Sequence, residues 1–144
     1  MPVVIDDRLL LEVLLGEAAP EVAEDLQSSG VYMTSCWYYR LGRALVGGSG
    51  QGSLSRRLEV VDPASRLAVT EALTELPEAI GILSARVTVP VMLALRVSRQ
   101  MNMLSAEALA VALLVSGSIL VTTKTPLVRS GAADIGLDYQ LLTP

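Results

Sequence analysis

Apolar and polar positions alternate along this chain in two periods, and the alternation lays out strands and helices in turn. Val3-Val4-Ile5 is a short β-branched run ending in Asp6-Asp7, the pattern of a strand buried on both faces. After it, Leu10, Leu11, Leu14 and Leu15 fall on one helical stripe that starts at Arg8 and stops at Gly16. Pro20 to Gln27 predicts a second helix, with Pro in its first turn, Glu21, Glu24 and Asp25 outward, and Val22, Ala23 and Leu26 inward. Val31 to Met33 predicts a second strand, and Thr34 or Ser35 caps a third helix through about Leu45. Residues 54–61 predict a short helix or an irregular segment. Asp62-Pro63 is a cap-and-first-residue pair for a helix to about Leu76, which Pro77 interrupts. Residues 79–89 give no assignable pattern, and Pro90 to Met101 predicts a further helix.

The stretch from Leu104 to Lys124 organises the rest. Ser105 is the expected N-cap of its helix, with Glu107 in the first turn, where a carboxylate suits the positive end of the helix dipole. Every residue from Ala108 to Val115 is apolar, and a helix apolar all round is buried on most sides. Ser116-Gly117-Ser118 breaks the helix, and Ile119 to Val121 has the character of a central parallel strand. Thr122-Thr123-Lys124 is its polar exit. Thr125-Pro126 caps a last short helix to about Ser130, and Gly136 to Leu142 predicts an edge strand. Strands alternating with helices predict one three-layer α/β/α domain over 1–144, with a central parallel sheet of four to five strands. The carboxyl ends of such strands are where sites form.

Composition narrows the chemistry. Histidine is absent, which removes Ser-His-Asp and Cys-His nucleophile systems and histidine metal ligands. Chemistry here must use carboxylates, hydroxyls, lysine or arginine. The single cysteine, Cys36, provides no disulfide framework and fits a reducing cytoplasm; it is expected to be a small buried apolar residue. No signal peptide is read at the N-terminus. The longest uncharged run, Ala108 to Thr123, is about 16 residues, short of a membrane span. A formal charge of −4 gives no broad nucleic-acid footprint. Gly47 to Ser53 lacks the Gly-Lys-Ser/Thr ending of a phosphate loop and predicts a mobile surface loop. Trp37, Tyr38 and Tyr39 cluster on one helix, as core packing or an interface would require.

An acid after the first strand and another in a later buried helix can meet at the carboxyl edge of the sheet, where clustered carboxylates bind Mg²⁺ or Mn²⁺. At this point the chain resembles a known family. Val4-Ile5-Asp6-Asp7-Arg8, with the leucine-rich helix that follows to Glu17, resembles the opening of PIN domains, the fold of toxin ribonucleases of toxin–antitoxin pairs. Leu95-Arg96 and the run from Asn102 to Leu113 resemble the segment before and across that family's third acid. Ile119 to Leu127 resembles its fourth strand and the turn after it.

The resemblance implies three or four acids around a divalent metal. Asp6 matches the first and Glu107 the third, usually Asp, so these are the family-matched catalytic positions. The second falls near Tyr39 or Arg40, and the fourth on Lys124. Asp7 is a possible additional acid. Replacing a carboxylate by an ammonium changes local charge by two units, and each unit interaction at about 4 Å is worth roughly 4 kcal/mol at an effective dielectric of ~20. Lys124, with Arg40, is therefore expected to replace the metal by salt-bridging Asp6 and Glu107. The reading is a non-catalytic PIN-like domain that binds a protein or RNA, with no bound cofactor expected. The alternative is an active Mg- or Mn-dependent endoribonuclease using Asp6, Asp7 and Glu107. Asp6 as a plain N-cap, Glu107 as a dipole complement and Lys124 as a solvated strand-end residue are the structural alternatives. Arg40, Arg43, Arg56 and Arg57 are the candidate RNA-facing residues. The resemblance and the apolar excess imply a homodimer, and the resemblance implies an antitoxin-like partner.

Overall fold

Five short strands pair in parallel in the order β3-β2-β1-β4-β5. They are β1 (Val3–Ile5), β2 (Val31–Met33), β3 (Ile80–Ile82), β4 (Ser118–Val121) and β5 (Tyr139–Leu141). The computed structural model describes residues 1–28, 30–47 and 52–142. Among these the sheet is flanked by α1 (Asp7–Leu14), α2 (Pro20–Ser28), α3 (Ser35–Gly47), α4 (Ser53–Glu59), α5 (Pro63–Thr74), α6 (Ala85–Ser98), α7 (Met103–Val115) and α8 (Pro126–Ile135). The result is the expected three-layer α/β/α architecture. The expected loop at 47–53 lies mostly outside the described residues; Gly47 ends α3 and Gly52 leads into α4.

The core is aliphatic and continuous. β1 is buried throughout, and Leu9, Leu10 and Leu11 of α1 are fully covered. α7 is buried from Ser105 to Ala112 and packs on β1 and β4. Ser116, in a left-handed conformation (φ 53°), ends α7. Gly117 follows because a Cβ there would sit 2.5 Å from the carbonyl oxygen of Pro2. That same oxygen accepts from Ser118 N at 3.0 Å, setting β4 beside β1.

Several local expectations are corrected. The N-cap of α7 is Asn102, whose side chain accepts from Ser105 N at 2.8 Å; Ser105 is already inside the helix and buried. Glu107 accordingly lies beyond the first turn. α6 begins at Ala85, with Pro90 inside it; Ser84 O accepts from Val87 N and Thr88 N, nucleating the helix ahead of the proline. β3 lies within 79–89, where the sequence showed no pattern. α8 also continues to Ile135, well past Ser130.

Candidate functional site

The strand order places β1 between β2 and β4, so the chain winds outward from β1 in both directions. In such sheets the crevice at the carboxyl ends of the two strands flanking this switch is the natural binding site. Asp6 leaves β1 at that crevice and Thr122 leaves β4. They are bonded to one another. Thr122 N donates to Asp6 Oδ2 at 2.8 Å, and the Thr122 hydroxyl lies 3.2 Å from the same oxygen. Asp6 Oδ1 accepts from Leu9 N at 2.9 Å and so caps α1. Burial raises the Asp6 carboxyl above its ordinary acidity range, against the lowering effect of these donors.

Glu107 is 4% exposed and its carboxylate faces α3. Its Oε2 accepts from Ser35 N and its Oε1 from Cys36 N, each at 2.8 Å. Thr34 completes the helix end: its Oγ1 accepts from Trp37 N at 3.1 Å and its carbonyl from Tyr38 N at 3.0 Å. The first three amides of α3, orphaned by helix geometry, all have side-chain acceptors. Two of those acceptors are oxygens of one residue brought in from α7. Glu107 complements a helix dipole, but that of α3 rather than of its own helix.

Asp7 is 6% exposed and takes Arg40 as its counterion, with Arg40 Nε 3.4 Å from Asp7 Oδ2. Oδ1 accepts from Arg8 N, while Oδ2 makes no hydrogen bond. Burial pushes the Asp7 carboxyl up to about 6, opposed by the guanidinium and reinforced by the neighbouring Asp6. Arg40 therefore supplies the cation that the sequence led one to expect, directed at Asp7.

Lys124 does not join this group. It is exposed, makes no ion pair among the described residues, and lines a cavity beside α8 and β5. The expected salt bridge to Asp6 and Glu107 is absent because backbone and hydroxyl donors already occupy both carboxylates. Thr122 is held at Asp6. A solvated ammonium gives up no hydration, whereas a buried one would have to recover that cost from acids already satisfied.

The four arginines do not form an open basic groove. Arg40 is taken by Asp7, Arg57 pairs with Glu17, and Arg56 Nε donates to the Gly52 carbonyl at 3.4 Å. Arg43 lines an apolar groove of about 440 Å³ between α3 and α5, together with Tyr38 and Tyr39. Trp37 is buried in the core, Tyr38 donates to the Leu73 carbonyl, and Tyr39 is exposed. Cys36 is only half-buried; burial and its contact with Glu107 push the thiol up to about 12.

The fit to a divalent ion can be judged from these partners. Among the described residues no three Asp, Glu or Cys side chains are grouped so as to hold a metal ion. Asp6 and Glu107 turn their oxygens to separate helix ends, and Asp7 turns to a guanidinium. These residues do not fit the metal that the family resemblance implies. Thr34 caps α3, one of the two caps the sequence offered; sequence reasoning missed the bonding of Thr122 to Asp6. The only signal for Thr122 was position, a hydroxyl residue directly after a strand. No protein-family model and no curated protein matches this chain.

Proposed function

We propose that this chain is a PIN-like domain, resembling the metal-dependent toxin ribonucleases, that does not catalyse and acts by binding a protein or RNA. One observation carries the reading: the two family-matched acids, Asp6 and Glu107, spend their oxygens on amide and hydroxyl donors. A hard divalent ion sheds water only when several anionic oxygens converge on it, and here they diverge. Calorimetric titration with Mn²⁺ is expected to show no saturable binding up to about millimolar concentration, a range chosen from weak oxygen-ligand sites. A fluorogenic RNA with Mn²⁺ is expected to be cut no faster by the wild type than by Asp6→Asn. Saturable binding together with turnover that Asp6→Asn abolishes would establish the ribonuclease reading instead.

A protein partner has its own support. Val89, Leu93 and Val97 follow one another at four-residue spacing on α6 and are 42%, 61% and 89% exposed. Residues so spaced share one helix face, and a contiguous exposed apolar face marks an interaction surface. We assign this face to a homodimer, the commonest closed assembly, with an antitoxin-like protein as the other occupant. Light scattering is expected to give the dimer mass for the wild type and the monomer mass for the Leu93→Asp, Val97→Asp variant. A wild type that stays monomeric at every concentration would transfer the face to a different protein. The reducing cytoplasm is the proposed location, in keeping with a chain of one cysteine. No helix among the described residues is long and apolar enough to cross a membrane.

A further inference from the structure

The proposed function leaves unused a cavity lined by Lys124. It measures about 550 Å³ and lies between the β4–α8 connection, α8 and β5. That volume is within the range of small-molecule sites. Its wall contains two cations from separate positions, Lys124 on the connection and Arg129 on α8. Both are exposed, and neither makes an ion pair among the described residues. No acid lines it, although the chain carries 15 acidic residues against 11 basic ones. Thr125, Ser130 and Tyr139 add hydroxyls. The Tyr139 hydroxyl accepts from Thr125 N at 3.3 Å and is 2.8 Å from Thr125 Oγ1. When Tyr139 donates to that oxygen, the threonine proton is released to point into the cavity. Leu141 and the Tyr139 ring supply an apolar wall.

We infer that this cavity binds a terminal phosphate monoester attached to a flat apolar body, such as a 5′-nucleotide. A dianion with three acceptor oxygens matches an ammonium, a guanidinium and two hydroxyl donors. A guanidinium engages phosphate through two parallel donors, and a lysine acts as a point charge. The ring and the leucine offer the base or sugar a surface to cover. The same chemistry occurs on a free nucleoside monophosphate and at the 5′ end of an RNA. The site shares no residue with Asp6, Asp7 or Glu107, so it does not rest on the loss of catalysis.

The test is calorimetry of the full chain with adenosine 5′-monophosphate, adenosine, and an oligoribonucleotide carrying either a 5′-phosphate or a 5′-hydroxyl. Phosphorylated probes are expected to bind and their dephosphorylated counterparts to bind at least about tenfold more weakly, the scale of one lost charge-assisted contact. Lys124→Gln with Arg129→Gln should weaken the phosphorylated probes by more than that. Both side chains are exposed, and a thermal melt shows whether the double variant folds. Amide shift mapping on the wild type gives a readout independent of any variant, with shifts centred on residues 124–130 and 139 expected. The phosphorylated probe that binds tighter identifies the source. Failure of both phosphorylated probes to bind, equal binding of adenosine, or shifts centred elsewhere would overturn the inference. A folded double variant that binds as tightly as the wild type would overturn it equally.

Discussion

Glu107→Ala is expected to destabilise the protein by about 2–4 kcal/mol, the cost of removing a buried charged acceptor from two part-buried donors. Ser35 N and Cys36 N would lose their acceptors together, and the α3 end would lose the anion at its dipole. Ser35 is exposed, so water recovers part of the loss at that amide. Glu107→Gln keeps one acceptor oxygen but turns an NH₂ toward the other amide, so its cost should fall between those of alanine and wild type. Urea unfolding followed by circular dichroism measures both. A Glu107→Ala midpoint within error of wild type would mean that the carboxylate does not hold α3 in solution. The size of this effect also separates the structural role from a catalytic one. Acids retained for metal chemistry are commonly destabilising where they stand, and their removal relieves strain.

The second large effect is on pH dependence, and its sign is opposite to ordinary acid denaturation. The folded-state pKa of Asp7 is pushed from 3.8 up to about 6 by burial. Between pH 3.8 and about 6 the native protein therefore holds a proton that the unfolded chain releases. Stability from this group is full below the unfolded value and is lost as pH rises through about 6. The shift corresponds to about 3 kcal/mol, and at 6% exposure the carboxyl itself has little water to screen it. Burial raises Asp6 in the same direction. The wild type is expected to be more stable near about pH 5 than at neutral pH. Asp7→Asn should gain about 2–3 kcal/mol over wild type at neutral pH and almost nothing near about pH 4. Arg40→Gln should steepen the loss, since the guanidinium is the main influence lowering the Asp7 pKa. Denaturant midpoints across that range decide it, and a wild type that gains stability steadily from acid to neutral pH would refute the assignment.

The elements that the sequence showed most clearly are those whose burial is one-sided or complete. The β1 run, the α1 leucine stripe and the all-apolar α7 each carry their environment in composition alone. β3 was invisible because Ile80-Gly81-Ile82 has a glycine at its centre. Gly81 is opposite Tyr32 on β2, whose ring would lie 2.7 Å from a Cβ there. The glycine is a tertiary requirement, and no local pattern announces it. Pro90 misled for a related reason: α6 gains its first turn from Ser84, upstream of the proline.

The site divides along the same line. Asp6 as an N-cap depends on neighbours three residues away and could be read directly. The partners of Glu107 are 71 and 72 residues distant, so only the folded sheet shows that its carboxylate belongs to α3. Charge alone suggested that Lys124 would turn inward. What decided otherwise was the satisfaction of both acids by uncharged donors, which a count of charges cannot register. Arg40 is expected from the sequence to salt-bridge Asp6 and Glu107, whereas the acid it meets is Asp7.

One consequence follows from where the only cysteine stands. Cys36 gives its amide to Glu107, and burial, reinforced by the same carboxylate, suppresses ionisation of its thiol. Any loosening between α3 and α7 would weaken both the burial and the carboxylate contact that hold that thiol protonated. The thiol is thus a built-in gauge of how often these two helices part, legible by chemistry specific to sulfur and undiluted by a second cysteine.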